Sequence, residues 1–178
     1  MEQGAGVSAA RNARLSSLEL VGEGMSAVAQ IGGMIGHARF FDDFTDDDVR
    51  RLATFMRVYR APPNGTLIAE GEVDDYLLLI IDGHVDVRKR DKRGVVRTVT
   101  SVGPGMTLGE MSMVDGEPRF ATCVATEPTT FAILSREGMG RILHEAPGLG
   151  AKVLIRLVTL LSQRLRQTSA TLLHYMER

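Results

Sequence analysis

The apolar residues of this chain change their spacing twice, and the changes mark its parts. After Phe44 they fall at helical intervals, at Val49, Leu52, Ala53, Phe55, Met56 and Tyr59, with Thr45 placed to cap the start and Asp48 three residues on. The pattern predicts a helix from Thr45 that stops before Ala61, because Pro62 and Pro63 cannot continue it. From Asn64 to about Leu134 the interval becomes that of strands, broken by Asn64-Gly65, Gly71, Asp82-Gly83, Gly94, Gly103-Pro104-Gly105, Gly116-Glu117-Pro118 and Pro128. Tyr76 to Ile81, then Asp82-Gly83, then His84 to Arg88 reads as a hairpin, since Asp-Gly readily takes positive φ. Val95 to Val102 should pair back through the charged turn Asp91 to Gly94. Helical spacing returns near Arg136 and, after Pro147 and Gly148, runs from about Leu149 to Met176, with a stripe of Leu154, Leu157, Leu161, Leu165, Thr168 and Leu172.

These elements predict a mainly β fold with flanking α-helices: a double-stranded β-helix (jelly-roll) barrel, helices before it and one long helix after it. Residues 1–35, rich in Gly, Ala and Ser with weak apolar spacing at Leu15, Leu18 and Val21, form an N-terminal extension, helical or loosely ordered. Residues 36–146 hold the barrel with its N-terminal helix, and 147–178 the long helix, a candidate hinge, lid or dimer seam.

The chain has 178 residues, of which 44% are hydrophobic, enough for one domain with a core that needs no staple. Lys and Arg number 21 against 22 Asp and Glu, which removes the basic excess that nonspecific binding to a phosphate backbone requires. The single cysteine, Cys123, excludes an internal disulfide, is read as a buried small hydrophobe and fits a reducing, cytoplasmic setting. The longest uncharged stretch, Met25 to Gly36, is short and interrupted by Gly32 and Gly33, so neither an export signal nor a membrane span is expected. His37, His84, His144 and His174 lack ligand spacing, and Met106, Met111 and Met113 are read as core filler, so no metal site is expected. The acids from Asp42 to Asp48 read most simply as a solvated helix start.

The chemistry concentrates between Gly103 and Thr122. Glycines set up a turn, Gly109-Glu110-Met111-Ser112 opens a helical turn whose amides are unpaired, and Arg119 follows nine residues after the acid. Amides and one guanidinium make a small phosphate pocket, and a carboxylate beside it suits a sugar hydroxyl.

From Pro63 to Leu143 the chain closely resembles the cyclic nucleotide-binding domains of catabolite activator proteins, cyclic-nucleotide-dependent kinases and cyclic-nucleotide-gated channels. The resemblance is carried by Pro63-Asn64-Gly65-Thr66-Leu67-Ile68, Glu70-Gly71-Glu72 and Ile81-Asp82-Gly83-His84-Val85. Above all it rests on Leu108-Gly109-Glu110-Met111-Ser112-Met113 followed by Pro118-Arg119-Phe120-Ala121-Thr122. It implies that Glu110 binds the ribose 2′-hydroxyl, Arg119 the cyclic phosphate, and the amides around Gly109, Met111, Ser112 and Phe120 the other phosphate oxygens. Val99 and Leu108 fall where the family lines the pocket with apolar groups. Leu108 stands where Phe is usual, and Phe120 where the family has Ala, Ser or Thr. Without a hydroxyl there for guanine, the resemblance leans towards cAMP over cGMP.

The function implied is a non-enzymatic sensor that passes nucleotide binding to its last helix and to a homodimer or a partner protein. Arg164, Leu165 and Thr168 are candidates by position to cover the base. A winged helix-turn-helix would need roughly 60 further residues, whereas the sequence stops at Arg178, so direct DNA binding is not expected. Two other readings stay open: a barrel that keeps the fold as an interaction module without ligand, with Glu110 and Arg119 as an ordinary ion pair, and a metal-dependent cupin enzyme, which lacks clustered His and Glu.

Overall fold

In the computed structural model, which describes residues 14–33 and 38–176, nine strands form two antiparallel sheets. The strands are β1 (Glu19–Glu23), β2 (Arg57–Ala61), β3 (Thr66–Ile68), β4 (Tyr76–Asp82), β5 (Val85–Arg90), β6 (Val96–Val102), β7 (Thr107–Leu108), β8 (Thr122–Ala125) and β9 (Thr129–Ser135). One sheet runs β1-β2-β9-β4-β7 and the other β3-β8-β5-β6. The helices are α1 (Met25–Gly32), α2 (Asp46–Ala53), α3 (Glu110–Asp115), α4 (Arg136–Glu145) and α5 (Pro147–Met176). The expected mainly β architecture is found as a sandwich of two sheets with flanking helices. Residues 1–13 of the expected N-terminal extension, the boundary near residue 35 and His37 lie outside the described residues.

The inner strands of the five-stranded sheet, β2, β9 and β4, are buried on both faces, and this explains its most apolar strand. Along β4, Leu77 and Leu79 enter the core on the helix side, while Tyr76, Leu78 and Ile80 enter the core between the sheets. A strand covered on both sides reads as an unbroken apolar run rather than an alternating one. Such a strand needs partners on both edges, and β4 has them in β9 and β7.

The hairpin expected around Asp82-Gly83 is therefore corrected. β5 pairs with β6 and β8 in the other sheet, and the turn carries the chain from one sheet to the next. Gly83 is still required there, at φ +89°, where a Cβ would lie 2.6 Å from Thr129 Oγ1. The pairing of β5 with β6 through Asp91 is as expected, with the Asp91 carboxylate accepting from the Arg93 and Val95 amides.

The helix expected from Thr45 to Tyr59 is shorter. Its capping box forms, Thr45 Oγ1 accepting from the Asp48 amide and the Asp48 carboxylate from the Thr45 amide. The helix ends at Ala53, and residues 57–61 are strand β2. Val58 faces the helix-side core, whereas Tyr59 and Ala61 face the core between the sheets. That two-residue alternation and the hydrogen bonds of two neighbouring strands outweigh the helical spacing. Strand β1 was hidden by its weak pattern; it is an edge strand whose side chains are largely exposed.

Helix α5 has 30 residues, about 45 Å at 1.5 Å per residue. Leu149, Val153 and Leu157 bury in the helix-side core, so Leu157 belongs to an inner face and not to the outer stripe. The acids around the start of α2 are more than a solvated helix start, because Asp48 accepts from Lys152 at 2.6 Å and Asp42 from Arg156 at 3.0 Å. These pairs fasten α5 to the α2 region.

Candidate functional site

The site forms where β7 runs into α3. Gly109 caps α3 at φ +81°, a conformation that side chains rarely adopt, and a Cβ there would lie 2.6 Å from Arg119 Nη1 and 3.0 Å from the Tyr76 carbonyl oxygen. The missing side chain is what lets the guanidinium approach the helix start.

Arg119 is 3% exposed. Its Nη1 donates to the Gly109 carbonyl at 3.0 Å and its Nη2 to the Tyr76 carbonyl at 2.8 Å. The guanidinium lies 4.4 Å above the Tyr76 ring, and the Tyr76 hydroxyl donates to the Leu67 carbonyl. Burial pushes the Tyr76 hydroxyl well above its ordinary value, so it remains a donor. Arg119 Nε has no hydrogen-bond partner among the described residues and lies 3.7 Å from Asp74 Oδ2, which also lacks one. Two carbonyls thus hold the cation in place without neutralising it.

Burial raises the Asp74 carboxyl above its ordinary value, and Arg119 pulls it back only in part. The native state therefore holds this proton to higher pH than the unfolded chain. The stability it contributes is full below 3.8 and is lost as pH rises through the native value. Asp74→Asn is expected to remove that loss, so thermal melts should show it gaining on the wild type from acid towards neutral pH. A difference that does not change with pH would exclude this role.

Glu110, the first residue of α3, is 2% exposed. Its Oε2 accepts from Arg164 Nη1 at 2.8 Å, while Oε1 is buried without a partner among the described residues. Arg164 Nη2 also donates to the Thr107 carbonyl at 2.6 Å. Glu110 and Arg119 are thus not an ordinary ion pair, because each is held by other groups. Arg164, a candidate to cover a base, instead engages the carboxylate.

Of the other expected site residues, Leu108 and Ser112 are buried beside Glu110, and Met111 is exposed on α3. Phe120 is 62% exposed; Lys89 Nζ lies 4.3 Å from its ring centroid and donates to its carbonyl and to Glu70. Val99 is 62% exposed on β6, the outer strand of the other sheet. Burial pushes the Cys123 thiol up to about 12, consistent with a packed, unreactive group. Among the described residues no three His, Cys, Asp or Glu side chains gather to hold a metal ion, and no helix is long and apolar enough to cross a membrane.

Sequence reasoning missed Asp74 and Tyr76. The signal available was an acid pair, Asp74-Asp75, directly before an apolar run.

Residues 58–146 match the family model of the cyclic nucleotide-binding domain. The chain belongs to that family. Its fold is similar to the crystal structure of a cyclic nucleotide-binding domain from Methylobacillus flagellatus, at 41% identity and a TM-score of 0.79 over 90% of each chain. It is 28% identical over 132 residues to the cyclic AMP receptor protein of Thermus thermophilus, covering 74% of this chain and 59% of that one. It is also 33% identical over 126 residues to the acetyltransferase Pat of Mycolicibacterium smegmatis, covering 71% of this chain and 36% of that protein. The chain spans less than two thirds of the length of these two curated relatives.

Proposed function

We propose that this chain is a non-enzymatic sensor of a cyclic purine mononucleotide, with cAMP preferred to cGMP, acting in the cytoplasm. The observation that carries the reading is a buried, pre-set Arg119 at the same helix start as a buried Glu110 that keeps one oxygen unpartnered among the described residues. The guanidinium faces the cyclic phosphate, helped by the amides from Gly109 to Ser112 and of Phe120, and Glu110 Oε1 takes the ribose 2′-hydroxyl. Leu108 and Val99 border the sugar and base. No hydroxyl follows Arg119 to favour guanine, and a curated relative named as a cyclic AMP receptor supports the adenine nucleotide. Calorimetric titration with cAMP and cGMP tests the reading. Binding of cAMP is expected, and no heat or thermal shift with either, from a folded chain, overturns it in favour of a ligand-free interaction module.

The output is α5. Arg164 ties that helix to Glu110 and Thr107, so a ligand that engages Glu110 acts on a group α5 already holds. It shifts α5 only as far as its affinity differs between the two helix positions. Beyond Leu157 the helix exposes Val158, Leu165 and Leu172, which with Leu154, Leu161 and Thr168 alternate by four and three residues. That is the spacing of a two-helix seam, and an exposed helical extension of this length is marginal alone. A homodimer through α5 is therefore proposed, with a partner protein as the further recipient of the signal and with neither DNA nor membrane contacted directly. Leu165→Asp with Leu172→Asp is expected to halve the mass seen by light scattering and to leave the melting temperature of the sandwich unchanged. An unchanged mass at micromolar concentration would remove this seam.

A further inference from the structure

The residues that precede β1 are tied to the nucleotide site. Arg14 leads into a short 3-10 turn, Leu15–Ser17, and Leu15 is 4% exposed in the same core as Tyr76 and Leu108. The Arg14 guanidinium grips both oxygens of the Glu72 carboxylate, Nε donating to Oε2 at 3.0 Å and Nη2 to Oε1. Glu72 in turn accepts the Arg119 amide through its main-chain carbonyl at 2.8 Å, and the Gly71 amide donates to the Arg119 carbonyl at 2.8 Å. One residue, Glu72, thus connects the N-terminal strap to the backbone of the arginine that faces the phosphate. This strap lies outside the residues 58–146 that match the family.

The charges make the connection more than mechanical. Arg14 interacts favourably with both Glu72 and Asp74, and Asp74 is the acid beside Arg119. The group therefore holds two guanidinium cations and two carboxylates. Were Arg14 neutral, this group would hold two carboxylates against one guanidinium, beside the Glu110–Arg164 pair, and would draw an arriving monoanion less. We propose, resting on the cyclic-nucleotide reading of the site, that Arg14 is a positioning residue that offsets the Glu72 carboxylate so that Arg119 stays available to an anionic cyclic phosphate. Glu72 is 43% exposed, and a pair this open adds little to stability, so the effect falls on binding and not on folding.

The test is calorimetric titration of the full chain with cAMP at low salt, with melting temperatures measured alongside. Arg14→Gln is expected to bind about three- to tenfold more weakly than the wild type, and Arg14→Lys to bind almost as well. The double variant Arg14→Gln with Glu72→Gln is expected to recover to within about twofold, because the acid that Arg14 offsets is gone. Added salt should shrink the deficit of the single variant. Equal affinity in Arg14→Gln overturns the proposal, as does a double variant no better than the single one, or a large drop in melting temperature that places the effect in folding. Wild-type protein that binds no cyclic nucleotide removes the site reading and this proposal with it. Normal wild-type binding with an unaffected Arg14→Gln removes this proposal alone.

Discussion

Arg119→Ala is expected to weaken cAMP binding by about 2–5 kcal/mol, the range for truncating one partner of a buried, hydrogen-bonded charge pair. In affinity this is roughly thirtyfold to several thousandfold. The size follows from where the guanidinium sits. It is almost fully buried, so its attraction for an anion is little screened, and two carbonyls and the Tyr76 ring hold it in one orientation before any ligand arrives. The alanine variant also leaves Asp74 without its neighbouring cation and frees two carbonyls, so a loss of fold has to be separated from a loss of binding. Arg119→Lys makes that separation. It keeps a cation near Asp74 but cannot reach both carbonyls and a phosphate with one planar fork. A lysine variant that melts like the wild type and still binds at least tenfold more weakly is the expected result. Affinity equal to wild type in both variants would take the phosphate away from this residue.

How far this site can be read from sequence differs from one residue to the next. Gly109, Glu110 and Arg119 were legible because three residue types must recur at fixed places: a glycine where a side chain would strike the guanidinium, an acid opening the helix, and an arginine nine residues later. Asp74 was not legible. Its importance comes from long-range packing that sets it 3.7 Å from Arg119, and an acid pair before an apolar run does not tell which group it will meet. Arg164 was visible only as one of several residues on the last helix, since which of them meets Glu110 depends on how α5 crosses the sandwich.

The same division runs through the fold. Turns and caps were readable where one residue type is needed, as at Thr45 with Asp48 or at Gly83. Strand partners were not, because pairing is decided by which edges remain free. Tyr76 to Ile81 has the composition of a hairpin arm, but burial on both faces sends it to the middle of a sheet, between β9 and β7. Val58 and Tyr59 fit the helix before them as well as a strand, and the vacant place between β1 and β9 decides for the strand. Residues 19–23 carry no strand signal of their own, because an exposed edge demands little of its side chains.

Glu110→Ala is expected to weaken cAMP by about 1.5–3 kcal/mol, roughly 10- to 150-fold, if the carboxylate accepts a hydrogen bond from the ribose 2′-hydroxyl. Two groups compete for that carboxylate. Arg164 already occupies Oε2, so the sugar hydroxyl is left Oε1, which is buried and has no partner among the described residues. A buried carboxylate oxygen in that condition gains more from a new donor than an exposed one, because no water has to be displaced from it. The 2′-deoxy analogue isolates this bond. Wild-type protein should bind it more weakly than cAMP by nearly the whole factor lost in Glu110→Ala, and the variant should bind the two ligands alike, since each change removes one side of the same contact. Arg164→Ala adds a control in the other direction. It strips the carboxylate of its cation and should weaken cAMP less than Glu110→Ala does, while the deficit of the deoxy analogue persists. Equal wild-type affinity for the two nucleotides would show that Glu110 serves Arg164 and α5 alone, with no part in holding the sugar.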